Sequence, residues 1–396
     1  MTPAVSSTTS VLALALLAAC PVAPPPLPPG EDERRSVTTH LVDEIVLPRL
    51  ADFAVKATTL RETTGALAAV NGDGVVEERA AQQAWREAMA VWQGLEVLHL
   101  GPAGSPASLV GGQGLRERIY AWPQLNLCAV DQQLFLDEFG EDGWVALRLP
   151  NVIGLAPLEY ALFVDDDDNR CPATTALNAD GSWVALGAAE IHARRARFAA
   201  VLAVDVEARA LGLHDAWTAG FAGSLRSAGE PGSLFPTAQQ ALDDVYAALF
   251  AVELMTKDKK LGIPSGLHID CPTDTCPDKI ESGFSRTSKE NVLVNLETVR
   301  RVFLGLDRAD VDAAGFDDLL RDRGADDVVD TMITNLDAAI AATRSFEGTF
   351  EDALALEPAR VQAIYEAVKL FTDDLKSTLP STLGLRVPDE GAGDND

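Results

Sequence analysis

Basic residues are scarce in this chain: 32 Lys and Arg stand against 60 Asp and Glu over 396 residues, a formal net charge of −28. That balance excludes a surface that grips nucleic acid or anionic lipid through clustered Lys and Arg. No apolar run approaches the roughly 20 residues that a membrane-spanning helix needs. Alternation of apolar and polar residues, the mark of strands, is nearly absent. No H-E-x-x-H occurs, so the two-histidine-plus-base helix of common zinc peptidases is missing. The histidines His40, His99, His192, His214 and His268 are scattered, and none pairs with a carboxylate at helical ligand spacing. Even His192, two residues after Glu190, points to a different helix face. All five therefore read as surface or hydrogen-bonded histidines.

What is present begins with Leu17-Ala18-Ala19-Cys20, which closes an apolar run from Val11 and reads as a lipobox. Residues 1–19 then form a lipoprotein signal peptide, although Met1 to Ser10 carries no Lys or Arg. Cys20 would be lipidated and hold the protein to a membrane. Residues 20–35 are a tether rich in proline, favouring extended polyproline-like conformations. Pro21 stands where an aspartate would favour inner-membrane retention, so the expectation is the outer membrane, facing the periplasm or the cell surface. In such a compartment the even set Cys128, Cys171, Cys271 and Cys276 predicts two disulfides. The short spacing of Cys271 and Cys276 would close a small loop and leave Cys128 with Cys171, but four cysteines allow three pairings. Neither pair has the C-x2-C spacing of a zinc site.

Helical periodicity runs through the rest. Leu242, Val245, Tyr246, Leu249 and Val252 share one face, as do Val292, Leu296, Val299 and Phe303. An all-α fold follows. The Gly-, Ser- and Pro-rich stretch from Gly223 to Pro236 divides the helices, predicting two packed bundles over residues 36–228 and 229–388, with an acidic disordered tail at 389–396. Trp85, Met89 and Trp92 are spaced for core packing. Asp165 to Asp168 reads as a solvated loop before a cation site. Asn71-Gly72-Asp73-Gly74 copies part of an EF-hand loop, but Ala69 and Ala80 stand at the first and twelfth ligand positions, leaving a turn.

A set of segments in order carries a resemblance. Ala84-Trp85-Arg86-Glu87-Ala88-Met89-Ala90-Val91-Trp92, Leu100-Gly101-Pro102, Ile119-Tyr120-Ala121-Trp122-Pro123 and Asn151-Val152-Ile153-Gly154 with Leu158-Glu159-Tyr160-Ala161-Leu162-Phe163 resemble the first half of imelysin-like proteins. Val252-Glu253-Leu254, Lys260-Leu261-Gly262, Glu281-Ser282-Gly283-Phe284-Ser285 and Asn295 ahead of Phe303-Leu304-Gly305 resemble the second. The resemblance implies a two-bundle all-α envelope protein from a family linked to bacterial iron uptake and nominally classed as metallopeptidases. It also implies that Gly154, Glu159, Glu253, Glu281 and Ser285 line one crevice between the bundles. The family's GxHxxE appears here as Gly154-Leu155-Ala156-Pro157-Leu158-Glu159, with Ala156 in the histidine position. An alanine neither ligates a metal nor moves a proton.

Glu159 stands out independently, since it interrupts the apolar stretch Val152 to Phe163, where an unpaired carboxylate is costly. Glu253 falls on the apolar face of its helix, eleven residues after Leu242. The expectation is a non-catalytic lipoprotein that holds a ligand, iron or another divalent cation or an iron-bearing compound, with Glu159 as the metal-contacting residue, working beside a membrane uptake partner. The alternatives are a metallopeptidase-type hydrolase built on Glu159 and a protein-interaction scaffold. Pairing of these carboxylates with Arg or Lys at the bundle interface is the competing structural account.

Overall fold

The computed structural model describes residues 30–70, 74–107, 109–305 and 313–388. The signal peptide, Cys20, most of the tether, the Asn71–Asp73 turn and the acidic tail lie outside the described residues. Among those described, every regular element is helical, and no helix is long and apolar enough to cross a membrane.

The first helix, α1 (Glu31–His40), starts five residues ahead of Ser36, the expected beginning of the fold. It is held from the C-terminal half: Ala238 N–H donates to Glu31 at 2.6 Å, and Arg35 Nε donates to the Ala228 carbonyl at 2.9 Å. A π-helical stretch, Leu41–Val46, leads into α2 (Leu47–Ala68). α3 (Val75–Glu96), α4 (Leu127–Leu136), α5 (Leu155–Phe163) and α6 (Ala188–Ala216) complete the first group, with α2 packed along α3 and α6. Trp85, Met89 and Trp92 fill its core.

The second group contains α7 (Ala238–Leu249), a π-helical run from Val252 to Gly262, α8 (Ser288–Phe303), α9 (Asp326–Arg344), α10 (Phe350–Leu356) and α11 (Ala359–Lys376). A π-helix makes i→i+5 bonds and turns its side chains differently from an α-helix. Here it buries Glu253, Lys257 and Lys260 from one charged segment.

Of the three cysteine pairings, the structure has Cys128–Cys171 and Cys271–Cys276. The first ties α4 to the acidic loop. There Arg170 grips Asp166 through both guanidinium nitrogens at 3.1 and 2.6 Å, and His192 Nε2 meets Asp167 at 2.8 Å. The run Asp165–Asp168 is thus a loop braced by Arg170 and His192.

Candidate functional site

Gly154 opens α5 with φ +86°, and a Cβ there would stand 2.5 Å from the Ile119 carbonyl oxygen. Only glycine combines that backbone with that close approach. The constraint seats α5 against the 115–120 segment, and Trp85 Nε1 donates to the Leu155 carbonyl at 2.9 Å. Gly154 thus acts through the backbone. One turn along, Glu159 is 3% exposed in an apolar helix.

The partner of Glu159 comes from the other group of helices. Between Glu281 and Thr287 the chain makes a tight turn in which both Ser282 and Arg286 have positive φ, 52° and 58°. Such conformations are uncommon for residues with a Cβ and concentrate at functional sites. The turn directs the Ser285 N–H onto Glu159 Oε1 at 2.8 Å. Its first residue, Glu281, is fully buried, accepting from Tyr120 Oη at 2.9 Å, Gln93 Nε2 at 3.1 Å and Asn291 Nδ2 at 3.0 Å.

Lys260 supplies the cation. Its ammonium lies 3.1 Å from Glu281, donates to Asn295 at 2.8 Å and also contacts Gln93 and Glu96. Glu96 is further bridged to Arg116 at 3.5 Å. Glu159 makes no ion pair with a described Lys or Arg. Instead it has Glu281 and Glu351 as electrostatic neighbours, and burial pushes its carboxyl up to about 7. Burial also raises Glu281 and Glu351. Glu96 is held low by Lys260 and Arg116 against its own burial.

The structure thus brings Gly154, Glu159, Glu281 and Ser285 together and separates Glu253 from them. Glu253 is fully buried but ion-paired to Lys257 at 2.8 Å and to Lys376 at 2.6 Å, inside the second group. The π-helical turn after Val252 places its carboxylate among lysines of its own bundle, which is the structural account of that residue. The sequence reading missed Gln93, Glu96, Lys260 and Glu351. The first two carried a usable signal: four residues after Met89 and Trp92, they occupy apolar-face positions of α3, the same test that selected Glu253.

His99 is another miss. It was expected at the surface or satisfied, yet its Nε2 is buried without a hydrogen-bond partner, and burial beside Arg116 drives its imidazole down to about 3. It remains neutral. Tyr160 next to Glu159 is structural: its hydroxyl donates to buried Asp131 at 2.9 Å.

Among the described residues no group of three or more His, Cys, Asp or Glu side chains is placed to hold a metal ion. Ala156 occupies the motif-histidine position, and the nearest imidazole, His99, sits among Arg116, Lys260 and Glu96, so the junction does not fit a resident metal held by protein ligands alone.

The architecture is that of an all-α protein of two helical groups joined by a buried carboxylate cluster. The family model for imelysin, a peptidase-labelled family, matches residues 46–377, and the chain belongs to that family. It is similar to the crystal structure of a protein assigned as an iron-regulated protein A precursor from Parabacteroides distasonis ATCC 8503, with a TM-score of 0.68 and 18% identity over 90% of this chain and 98% of that one. An imelysin-like protein from Psychrobacter arcticum 273-4 is similar with a TM-score of 0.65 and 18% identity, over the same shares of the two chains. At that identity the likeness shows the fold. No curated protein matches the chain.

Proposed function

We propose that this protein is a non-catalytic, lipid-anchored envelope protein that captures a cation-bearing compound at the Glu159 junction as part of metal uptake. The observation that carries this reading is a buried Glu159 held only by Ser285, through its N–H and its side chain, with no basic partner and with two more carboxylates as neighbours. A buried carboxylate in that state gains most from an incoming cation or hydrogen-bond donor. Because the protein supplies no complete ligand set, the compound brings most of its own donors. Iron as the cargo is supported by the iron-regulated name of a structural relative and the family's link to iron uptake. The loss of the motif histidine at Ala156 favours binding over peptide hydrolysis.

Calorimetric titration of the full chain with ferrous, ferric, zinc and calcium ions and with ferric citrate tests this, comparing wild type with Glu159→Gln. Saturable heat that the substitution removes supports capture at Glu159. Equal heats in both proteins, or none, refute it. Chelator-sensitive cleavage of casein, lost in Glu159→Gln, would establish the hydrolase instead. Anchoring is tested by palmitate labelling and fractionation: Cys20→Ser is expected to lose both the label and the membrane fraction.

A further inference from the structure

A large cavity lies apart from the Glu159 junction: Arg116 lines it, and Glu159, Glu281 and Ser285 do not. It has a volume of about 1370 Å³ and runs between the 99–117 segment of the first group and one face of α7 with its π-helical continuation. Asp244, Ala247, Ala251, Leu254, Met255 and Asp258 mark that face. From Asp244 to Asp258 it spans about 20 Å at helical rise. Its apolar lining mixes small residues, Ala103, Gly104, Ala247 and Ala251 among them, with larger ones such as Phe250 and Met255. The small residues leave room for another main chain to approach, and the larger ones supply apolar contact.

Charge sets the sign of the occupant. Glu117, Asp243, Asp244, Asp258 and Asp270 line the groove against Arg116, Lys259 and Arg386. Arg116 is already committed to Glu96 and Glu117, and Asp258 to Lys257. His268 lies 3.6 Å from Asp270, and His99 is neutral. Asp243 and Asp244, adjacent at one end, make no ion pair with a described Lys or Arg, with Arg386 the one lining cation in electrostatic reach of Asp244. Asp243 accepts from Gln239 and the Arg386 N–H, and Asp244 from the Val110 N–H at 3.0 Å. The acidic segment 389–396, which follows Pro388 at the rim, has the wrong sign to fill the groove.

We propose that this groove takes an extended cationic peptide of about six residues, small and apolar in its middle, with a Lys or Arg seated on Asp243 and Asp244. An extended chain covers about 3.3 Å per residue, so six residues match the length of the face. Its backbone amides offer donors and acceptors to a polar-ended, apolar-centred channel, as a hydrocarbon does not. This site is independent of Glu159.

The test uses fluorescence anisotropy on the full chain with labelled acetyl-Lys-Ala-Leu-Ala-Ala-Lys-amide, its Glu-ended counterpart and, as a competitor, 1,10-diaminodecane. The Lys-ended peptide is expected to saturate, with the Glu-ended one at least about tenfold weaker. The isosteric pair Asp243→Asn/Asp244→Asn is expected to weaken it at least about fivefold. Ala251→Trp, which fills the groove, is expected to remove binding while circular dichroism stays unchanged, and Glu159→Gln to leave it intact. The proposal is overturned by equal binding of the two peptides, by no saturation up to about 1 mM, or by indifference to both groove variants. Competition by diaminodecane at the peptide's own affinity also overturns it, by showing that charge alone is read. Loss of binding in Glu159→Gln would merge this groove with the junction and refute its independence.

Discussion

The Ser285 N–H and Glu159 Oε1, 2.8 Å apart, join the two groups of helices through a carboxylate that has no cation of its own. The bond orients Glu159 without neutralising it, so the proton carries the electrostatic cost of burial.

The pH dependence follows from that proton. Burial raises Glu159 from 4.5 to about 7. Between those values the native chain keeps a proton that the unfolded chain has released, so this group makes stability fall as pH rises through the window. Glu159→Gln removes the dependence while preserving an acceptor for Ser285. Near pH 4 the variant and wild type are expected to be equally stable; near pH 8 the variant is expected to be more stable, by up to about 3 kcal/mol. Urea denaturation at the two pH values measures the gap, and a gap independent of pH contradicts the assignment.

Lys260 is expected to be the most sensitive position at the junction. It is 1% exposed and serves Glu96 and Glu281 at once. Lys260→Met leaves both carboxylates without that ammonium, and breaking a buried pair in this way costs about 3–5 kcal/mol. Adding Glu96→Gln to the same chain is expected to recover part of the loss, since it removes one of the stranded charges. A double variant no more stable than Lys260→Met in chemical denaturation would show that the ammonium acts by packing alone.

The all-α fold was legible because core residues such as Leu242, Val245, Tyr246 and Leu249 keep helical spacing, and all four are buried on α7. Glu159 was legible as a carboxylate inside an apolar stretch. Glu253 misled for a definite reason. Its spacing from Leu242 assumes an unbroken α-helix, whereas the chain turns π-helical at Val252 and pairs it with lysines. Lys260 lies in the charged run Lys257-Asp258-Lys259-Lys260, and nothing in its spacing reveals that the widened helix drives it inward. Glu351 and His99 depend on contacts across long separations, which periodicity does not encode.

Gly154 offers a test with an internal control. Its substitution by alanine combines a left-handed φ with a Cβ 2.5 Å from a carbonyl oxygen. Gly187 has a similar backbone, φ +76° and ψ 154°, and nothing within 4 Å of its Cβ position. Gly187→Ala is expected to cost about 2 kcal/mol from backbone strain, and Gly154→Ala about 3 kcal/mol or more because α5 must also move. Equal losses in thermal unfolding would show that the Ile119 contact relaxes freely.

The two disulfides are expected to contribute unequally. In the loop-entropy account the gain grows with the length of chain enclosed. Cys128–Cys171 spans a separation of 43 residues and Cys271–Cys276 one of 5. That account gives about 4 kcal/mol for the first and about 2 kcal/mol for the second. The longer bridge also braces the loop whose Arg170 N–H donates to Asp131, the carboxylate that accepts from Tyr160 beside Glu159. Cys128→Ser/Cys171→Ser should therefore lower both stability and Glu159-dependent ligand binding, whereas Cys271→Ser/Cys276→Ser should lower stability by about half as much and leave that binding unchanged. Denaturation and calorimetry on the two paired variants separate the effects. A larger stability loss from the short bridge would mean that its loop is held by the disulfide in the folded state, and that unfolded-chain entropy is the smaller part of its contribution.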